Sequence, residues 1–107
     1  MTEKHTLYLP ENYQKIILTL LQKHLPEAEV LAYGSRVNGD YFEASDLDLV
    51  ARFPSTLDAP LFRLSALQEA FSDSHLPIFV QIMDWQMIPK SFQNEIEASY
   101  FVLQKAL

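Results

Sequence analysis

Apolar positions recur along the chain with helical spacing in three places. Spacings of three and four residues run through residues 13–24 and 57–72, which predicts two long amphipathic helices. Polar residues such as Arg63 and Gln68 fall on the outer face of the second helix, where we expect them to be solvated. A shorter apolar stripe follows Pro89, a residue that suits the start of a helix, and predicts a third.

Runs of β-prone residues fill the intervals between these helices. Residues 30–33, 47–51 and 78–83 predict three strands, and residues 100–103 predict a final edge strand or an extended tail. This order of elements fits an α+β fold, a small mixed β-sheet packed with helices on one side. A chain of this length makes one domain, so we expect residues 1–107 to form a single unit without a separate substrate domain.

Composition narrows the classes of function. The formal net charge is −6, which argues against a broad electrostatic footprint for DNA or RNA and favours a protein or a free nucleotide as partner. There is no cysteine, which excludes disulfides and thiolate chemistry. No apolar run approaches the ~20 residues of a membrane span, and residues 1–5 do not resemble a signal peptide. We therefore expect a cytoplasmic protein with no direct contact to nucleic acid or membrane.

Both glycines of the chain lie between the first two predicted strands. Glycine permits a positive φ or a close approach, and a serine after it offers a hydroxyl and amides to an anion, so Gly34 and Ser35 are interpreted as a phosphate cradle. Asp46 and Asp48 share one face of an extended strand, where their carboxylates suit divalent ions. Each half alone is also compatible with an ordinary turn and a solvated strand entry. Together they have the arrangement that two-metal phosphoryl or nucleotidyl transfer requires.

This stretch resembles a known signature. The run Gly34-Ser-Arg-Val-Asn-Gly39, followed by Ser45-Asp-Leu-Asp48, is similar to that of the DNA polymerase beta-like nucleotidyltransferase superfamily. In so short a chain it resembles the minimal nucleotidyltransferase (MNT) group, from about residue 13 to the C-terminus. The resemblance implies the polymerase beta-like nucleotidyltransferase fold for the whole domain.

The resemblance also implies a chemistry and a set of site residues. Its cofactor would be Mg²⁺, with two ions, and its substrate ATP, from which a nucleotidyl group passes to an acceptor hydroxyl. Carried over by position, Gly34, Ser35 and Arg36 would bind the nucleotide. Asp46 and Asp48 would be the metal ligands and the catalytic carboxylates.

One position departs from the family pattern in a way that bears on activity. MNT relatives place a third carboxylate in the next strand, and the matching residue is Gln81. An amide is neutral, cannot act as a general base and coordinates divalent ions more weakly than a carboxylate does. Asp84 is three residues further on, so strand parity directs it to the opposite face, and capping the following turn is its favoured role.

The loop contains a second departure. MNT relatives often carry another basic residue before the second glycine, where this chain has Asn38. Arg36 is then the only cation of the loop, and either a contact to triphosphate or an ion pair with Asp40 or Glu43 is compatible with the sequence.

The resemblance implies a biological setting that the residues alone do not. Small MNT proteins are typically antitoxins paired with a HEPN-domain toxin in a hetero-oligomer, and some transfer AMP to a tyrosine of that toxin. A second hypothesis, favoured by Gln81, is an antitoxin that neutralises its partner by binding alone. Trp85, Tyr100 and Phe101 lie near the ends of predicted elements, and we expect them either to anchor a partner or to close the small core.

Overall fold

The computed structural model describes residues 6–58 and 60–106, so the expectation about residues 1–5 lies outside the described residues. In chain order the elements are α1 (Glu11–His24), β1 (Glu29–Tyr33), α2 (Ser35–Asn38), β2 (Leu47–Arg52), α3 (Pro60–Asp73), β3 (Val80–Asp84), a 3-10 turn (Trp85–Met87), α4 (Lys90–Ala98) and β4 (Phe101–Gln104). The predicted helices and strands are confirmed, and residues 101–104 form a strand rather than a loose tail.

Prolines set the bounds of the two long helices. Pro10 precedes the first residue of α1, and Pro26 follows shortly after its end. Helix α3 begins at Pro60, later than the apolar pattern from residue 57 suggested. The reason is that proline lacks an N–H and fits only the first turn, where no hydrogen bond is lost.

The four strands form one mixed sheet in the order β3-β2-β1-β4. Strand β1 is antiparallel to both β2 and β4, whereas β2 and β3 are parallel. The crossover that parallel pairing requires is supplied by α3. The mixed sheet of the expected α+β fold is thereby confirmed.

Alternate strand residues divide the core between the two faces of the sheet. Helices α1 and α3 cover one face, packing residues such as Leu21 and Leu67 against Leu49 of β2. On the other face, Ile96 of α4 packs with Leu31 in a smaller cluster. The two long helices therefore share one side as expected, while the short α4 covers part of the opposite side.

Two polar residues of α3 have structural roles, so the expectation that they are solvated is wrong. Arg63 donates to the Glu27 carboxylate at 2.8 Å and to the His24 carbonyl at 2.9 Å. The hydrogen bond from Arg63 lowers the pKa of Glu27. Gln68 donates to the Val80 carbonyl at 2.7 Å and accepts from the Ile82 amide at 3.0 Å, which satisfies the open edge of β3.

Within the ranges the structure covers, no helix is long and apolar enough to cross a membrane.

Candidate active site

Three side chains stand in a row across the sheet. Asp48 of β2 pairs with Tyr33 of β1 on one side and with Gln81 of β3 on the other. Directly paired residues project from the same face, and here it is the face that carries α4. Asp46 lies two residues before Asp48, at the exposed entry to β2. The structure thus brings the two aspartates and Gln81 together.

Gly34 brings the start of α2 against the Asp48 carboxylate. Its φ is +86° and its ψ −155°, a combination essentially restricted to glycine. A methyl group at this position would lie 2.9 Å from Oδ2 of Asp48, closer than the two atoms tolerate. Ser35 is the first residue of α2 and is half-buried. The two halves of the signature are therefore adjacent in space.

Burial makes the charge on Asp48 costly. Partial burial, and secondarily the negative charge of Asp46, raises the pKa of Asp48. Burial also raises the pKa of Tyr33 to about 12, with a smaller contribution from the Asp48 charge. A cation bound between the aspartates would relieve both their mutual repulsion and the cost of burying Asp48.

The donor set suits magnesium but is weaker than a full carboxylate site. Asp46 and Asp48 offer carboxylate oxygens and Gln81 an amide oxygen, and oxygen ligands are those that Mg²⁺ prefers. No group of three or more acidic, histidine or cysteine side chains that could hold a metal occurs in the described part of the chain. These residues thus fit an ion held by two charged ligands.

Arg36 is a loop-organising residue, and its expected contact with the nucleotide is corrected. The residue is only 2% exposed. Its guanidinium donates to the carbonyls of Ser45 at 2.9 Å, Tyr8 at 2.8 Å and Glu43 at 2.8 Å, with a longer contact of 3.4 Å to that of Phe42. The alternative ion pair with Asp40 or Glu43 is not formed among the described residues: Glu43 contributes its main-chain oxygen, and neither salt bridge found there involves Arg36. These four contacts hold the loop that leads to Asp46.

Asp84 and the three aromatic residues near the ends of elements have structural roles. A carboxylate oxygen of Asp84 accepts from the Gln86 amide at 3.0 Å, which caps the 3-10 turn as favoured from the sequence. Trp85, Tyr100 and Phe101 are partly buried and pack against the two core clusters. Their packing supports the expectation that they close the small core and does not support a role as partner anchors.

A cleft of about 240 Å³ lies beside the site, between α2 and α4. It is lined by Tyr33, Gly34, Asn38, Phe92, Glu95, Ile96 and Ser99. The ring of Phe92 meets that of Tyr33 edge to face, with 5.7 Å between their centroids. Sequence reasoning missed Tyr33 as a wall of the site; strand parity, which was applied to the aspartates alone, was the signal that could have found it.

One aspartate in β2 and another just before it, beside a glycine–serine turn into a helix, form the site expected of a nucleotidyltransferase-type domain. Comparison with known proteins agrees. A family model described as the nucleotidyltransferase domain matches residues 14–103. The probable protein adenylyltransferase MntA of Haemophilus influenzae is 36% identical over 105 residues, which cover 98% of this chain and 90% of that protein. The chain belongs to the nucleotidyltransferase domain family, and the resemblance drawn from its signature is confirmed.

Solved structures share the fold at lower identity. A crystal structure of a toxin–antitoxin with AMP-PNP has a TM-score of 0.62 and 20% identity, and the match covers 87% of this chain and 73% of that one. A tri-AMPylated Shewanella oneidensis HEPN toxin in complex with an MNT antitoxin has a TM-score of 0.57 and 16% identity, covering 90% and 72% of the two chains. This likeness supports the fold.

Proposed function

We propose that this protein is an antitoxin-type nucleotidyltransferase that transfers AMP from ATP to a tyrosine hydroxyl of a HEPN-domain toxin, with magnesium at the paired aspartates. The observation that carries the proposal is the contact between the two halves of the signature. Gly34 approaches Asp48 so closely that a methyl group would lie 2.9 Å from its carboxylate, which supports a phosphate cradle beside the proposed metal ligands. The 36% identity to a protein named as a probable protein adenylyltransferase supports the same reaction class.

The proposed roles follow from the chemistry of each group. Ser35 and the amides at the start of α2 bind the terminal phosphates. Asp46 and Asp48, assisted by the amide oxygen of Gln81, would hold Mg²⁺, which when bound would neutralise charge that develops on the phosphates.

The transfer itself is a substitution at the α-phosphorus. The acceptor oxygen forms a bond to this phosphorus, the bond to the oxygen that bridges the α- and β-phosphates breaks, and pyrophosphate leaves with that electron pair. The amide of Gln81 cannot act as a general base, so the proton of the acceptor hydroxyl passes to solvent or to the departing pyrophosphate.

A second candidate is an antitoxin that retains nucleotide affinity and neutralises its partner by occlusion. Gln81 favours this candidate, because it pairs with Asp48 where a third carboxylate would complete the site. Both candidates share the same partner and differ only in whether a covalent bond is made.

One assay separates them. The protein is incubated with ATP labelled at the α-phosphate, Mg²⁺ and the HEPN-domain protein encoded beside it, and label on the partner's tyrosine is expected. The matched control, Asp46→Asn with Asp48→Asn, should bind the partner but transfer no label. A stable complex that stays unlabelled with the wild type supports occlusion, whereas absence of both label and complex would reject the two candidates together.

A further inference from the structure

Two phenylalanines stand exposed beside the paired aspartates. Phe42 is 70% exposed and Phe79 is 52% exposed. Phe42 begins the turn that ends at Ser45, one residue before Asp46, and Phe79 lies two residues before Gln81 on the chain entering β3. Residues two apart in an extended chain share a face, so Phe79 projects on the same side as Gln81.

The backbones beneath both side chains are fixed. The amide of Phe42 donates to the Ser45 hydroxyl at 2.9 Å, and its carbonyl accepts from the Ser45 amide at 2.9 Å. The carbonyl of Phe79 accepts from the Leu47 amide at 2.9 Å, which continues the parallel ladder. Each ring is therefore exposed to solvent, and the backbone that carries it is fixed by hydrogen bonds. Large aromatic groups presented in this way are typical anchors for a partner, because little ordering entropy is lost on binding.

We infer that Phe42 and Phe79 form a docking patch for the partner-protein segment that carries the acceptor hydroxyl. This inference rests on the proposed function, since a protein acceptor must reach the phosphate held at Asp46 and Asp48. Both residues adjoin that position through the backbone: the Phe79 carbonyl accepts from the amide of Leu47, which lies between the two aspartates, and the Phe42 carbonyl accepts from the amide of Ser45, which precedes Asp46.

The surrounding charge indicates what kind of segment binds. Asp40, Glu43 and Asp46 are exposed, and the first two lie within two residues of Phe42 in the chain. A segment with apolar side chains for the rings and basic residues for these carboxylates is complementary to this surface.

The test uses Phe42→Ala and Phe79→Ala, with Phe62→Ala as a matched control. Phe62 is 77% exposed but belongs to α3, which packs on the opposite face of the sheet. Each patch variant should raise the KM for the HEPN-domain partner roughly tenfold and leave the affinity for ATP unchanged. The control should change neither. Melting temperatures equal to that of the wild type would exclude misfolding as the cause.

Binding of the same partner in the absence of ATP and Mg²⁺ provides a second measurement that does not depend on turnover. Weaker binding by both patch variants, but not by Phe62→Ala, supports the patch even if the wild type transfers no label, an outcome that would reject only the proposed reaction. Patch variants that match the control in binding and in KM would overturn the inference, whether or not label is transferred.

Discussion

Gly34 has two roles: it adopts a positive φ, and it allows close approach to the Asp48 carboxylate. Comparing its substitution with that of Gly39 separates the effect on stability from the effect on the site. Gly34→Ala and Gly39→Ala both place a side chain at positive φ, so each should destabilise the fold by about 1–3 kcal/mol. Only Gly34→Ala also drives a methyl group against the Asp48 carboxylate, whereas the nearest atom at Gly39 is 3.8 Å away. Calorimetry with ATP and Mg²⁺ should therefore show lost affinity for the first variant alone. Equal affinity in the two variants would contradict the close contact.

The raised pKa of Asp48 predicts how stability depends on pH. The folded state takes up a proton more readily than the unfolded chain, so the charged carboxylate opposes folding above its folded pKa. This penalty disappears as the pH falls through the folded pKa, and below about pH 4 both states are protonated. Asp48→Asn should therefore raise the melting temperature at pH 7 in EDTA. The corresponding gain in unfolding free energy should be less than about 1 kcal/mol, because the group is only half-buried.

The stabilising effect of Asp48→Asn should shrink as the solution is acidified. Asp46→Asn is the comparison variant, because it removes only the smaller cause of the raised pKa of Asp48. The Asp48 carboxylate stays buried in this variant. A melting temperature for Asp48→Asn that is lower than the wild type's at pH 7 would show that the carboxylate is not penalised by burial.

Gln81 predicts a gain of metal affinity on a single substitution. Gln81→Asp adds a third carboxylate in register with Asp48, so Mg²⁺ and Mn²⁺ should bind more tightly, by roughly tenfold or more. Calorimetric titration with Mn²⁺ measures this directly. Asp84→Asn is the control: it weakens only the cap of the 3-10 turn and should leave the titration unchanged. Tightening by Asp84→Asn, or none by Gln81→Asp, would place the ion elsewhere.

At the level of elements, the loop before β2 depends on one buried side chain. Arg36→Met keeps the length of the side chain but leaves the carbonyls of Ser45, Tyr8 and Glu43 without their donor. A loss of about 3 kcal/mol or more is expected, since a buried unsatisfied acceptor costs about 1–3 kcal/mol. Denaturant unfolding measures it. A loss below about 1 kcal/mol would mean that water replaces the guanidinium at little cost.

Elements built on local periodicity were predictable, and contacts between distant segments were not. Helix α1 and strand β2 followed from spacing within short windows, and the place of Gln81 beside Asp48 followed from the family resemblance. The burial of Arg36 did not, because one of its acceptors, the Tyr8 carbonyl, is 28 residues away in the chain. The roles of Arg63 and Gln68 escaped for the same reason, since each binds backbone of another element.

At the scale of the whole molecule, the two faces of the sheet have different tasks. The face under α1 and α3 carries the larger core, while the face under α4 carries Asp48 and Gln81 beside a smaller apolar cluster. Stability and the candidate site are thus assigned largely to opposite sides. This division explains why a substitution such as Phe62→Ala can serve as a control for substitutions at the site.

The net charge of −6 predicts how salt affects association with the proposed partner. An acidic surface attracts a basic patch over long range, and added salt screens this attraction. The association rate with the HEPN-domain protein should fall roughly tenfold between low and high NaCl, while the dissociation rate changes little. Stopped-flow fluorescence measures both rates. Asp40→Asn with Glu43→Gln removes two exposed charges beside Asp46 and should flatten the salt dependence. An association rate that is insensitive to salt in the wild type would show that the partner surface is not basic.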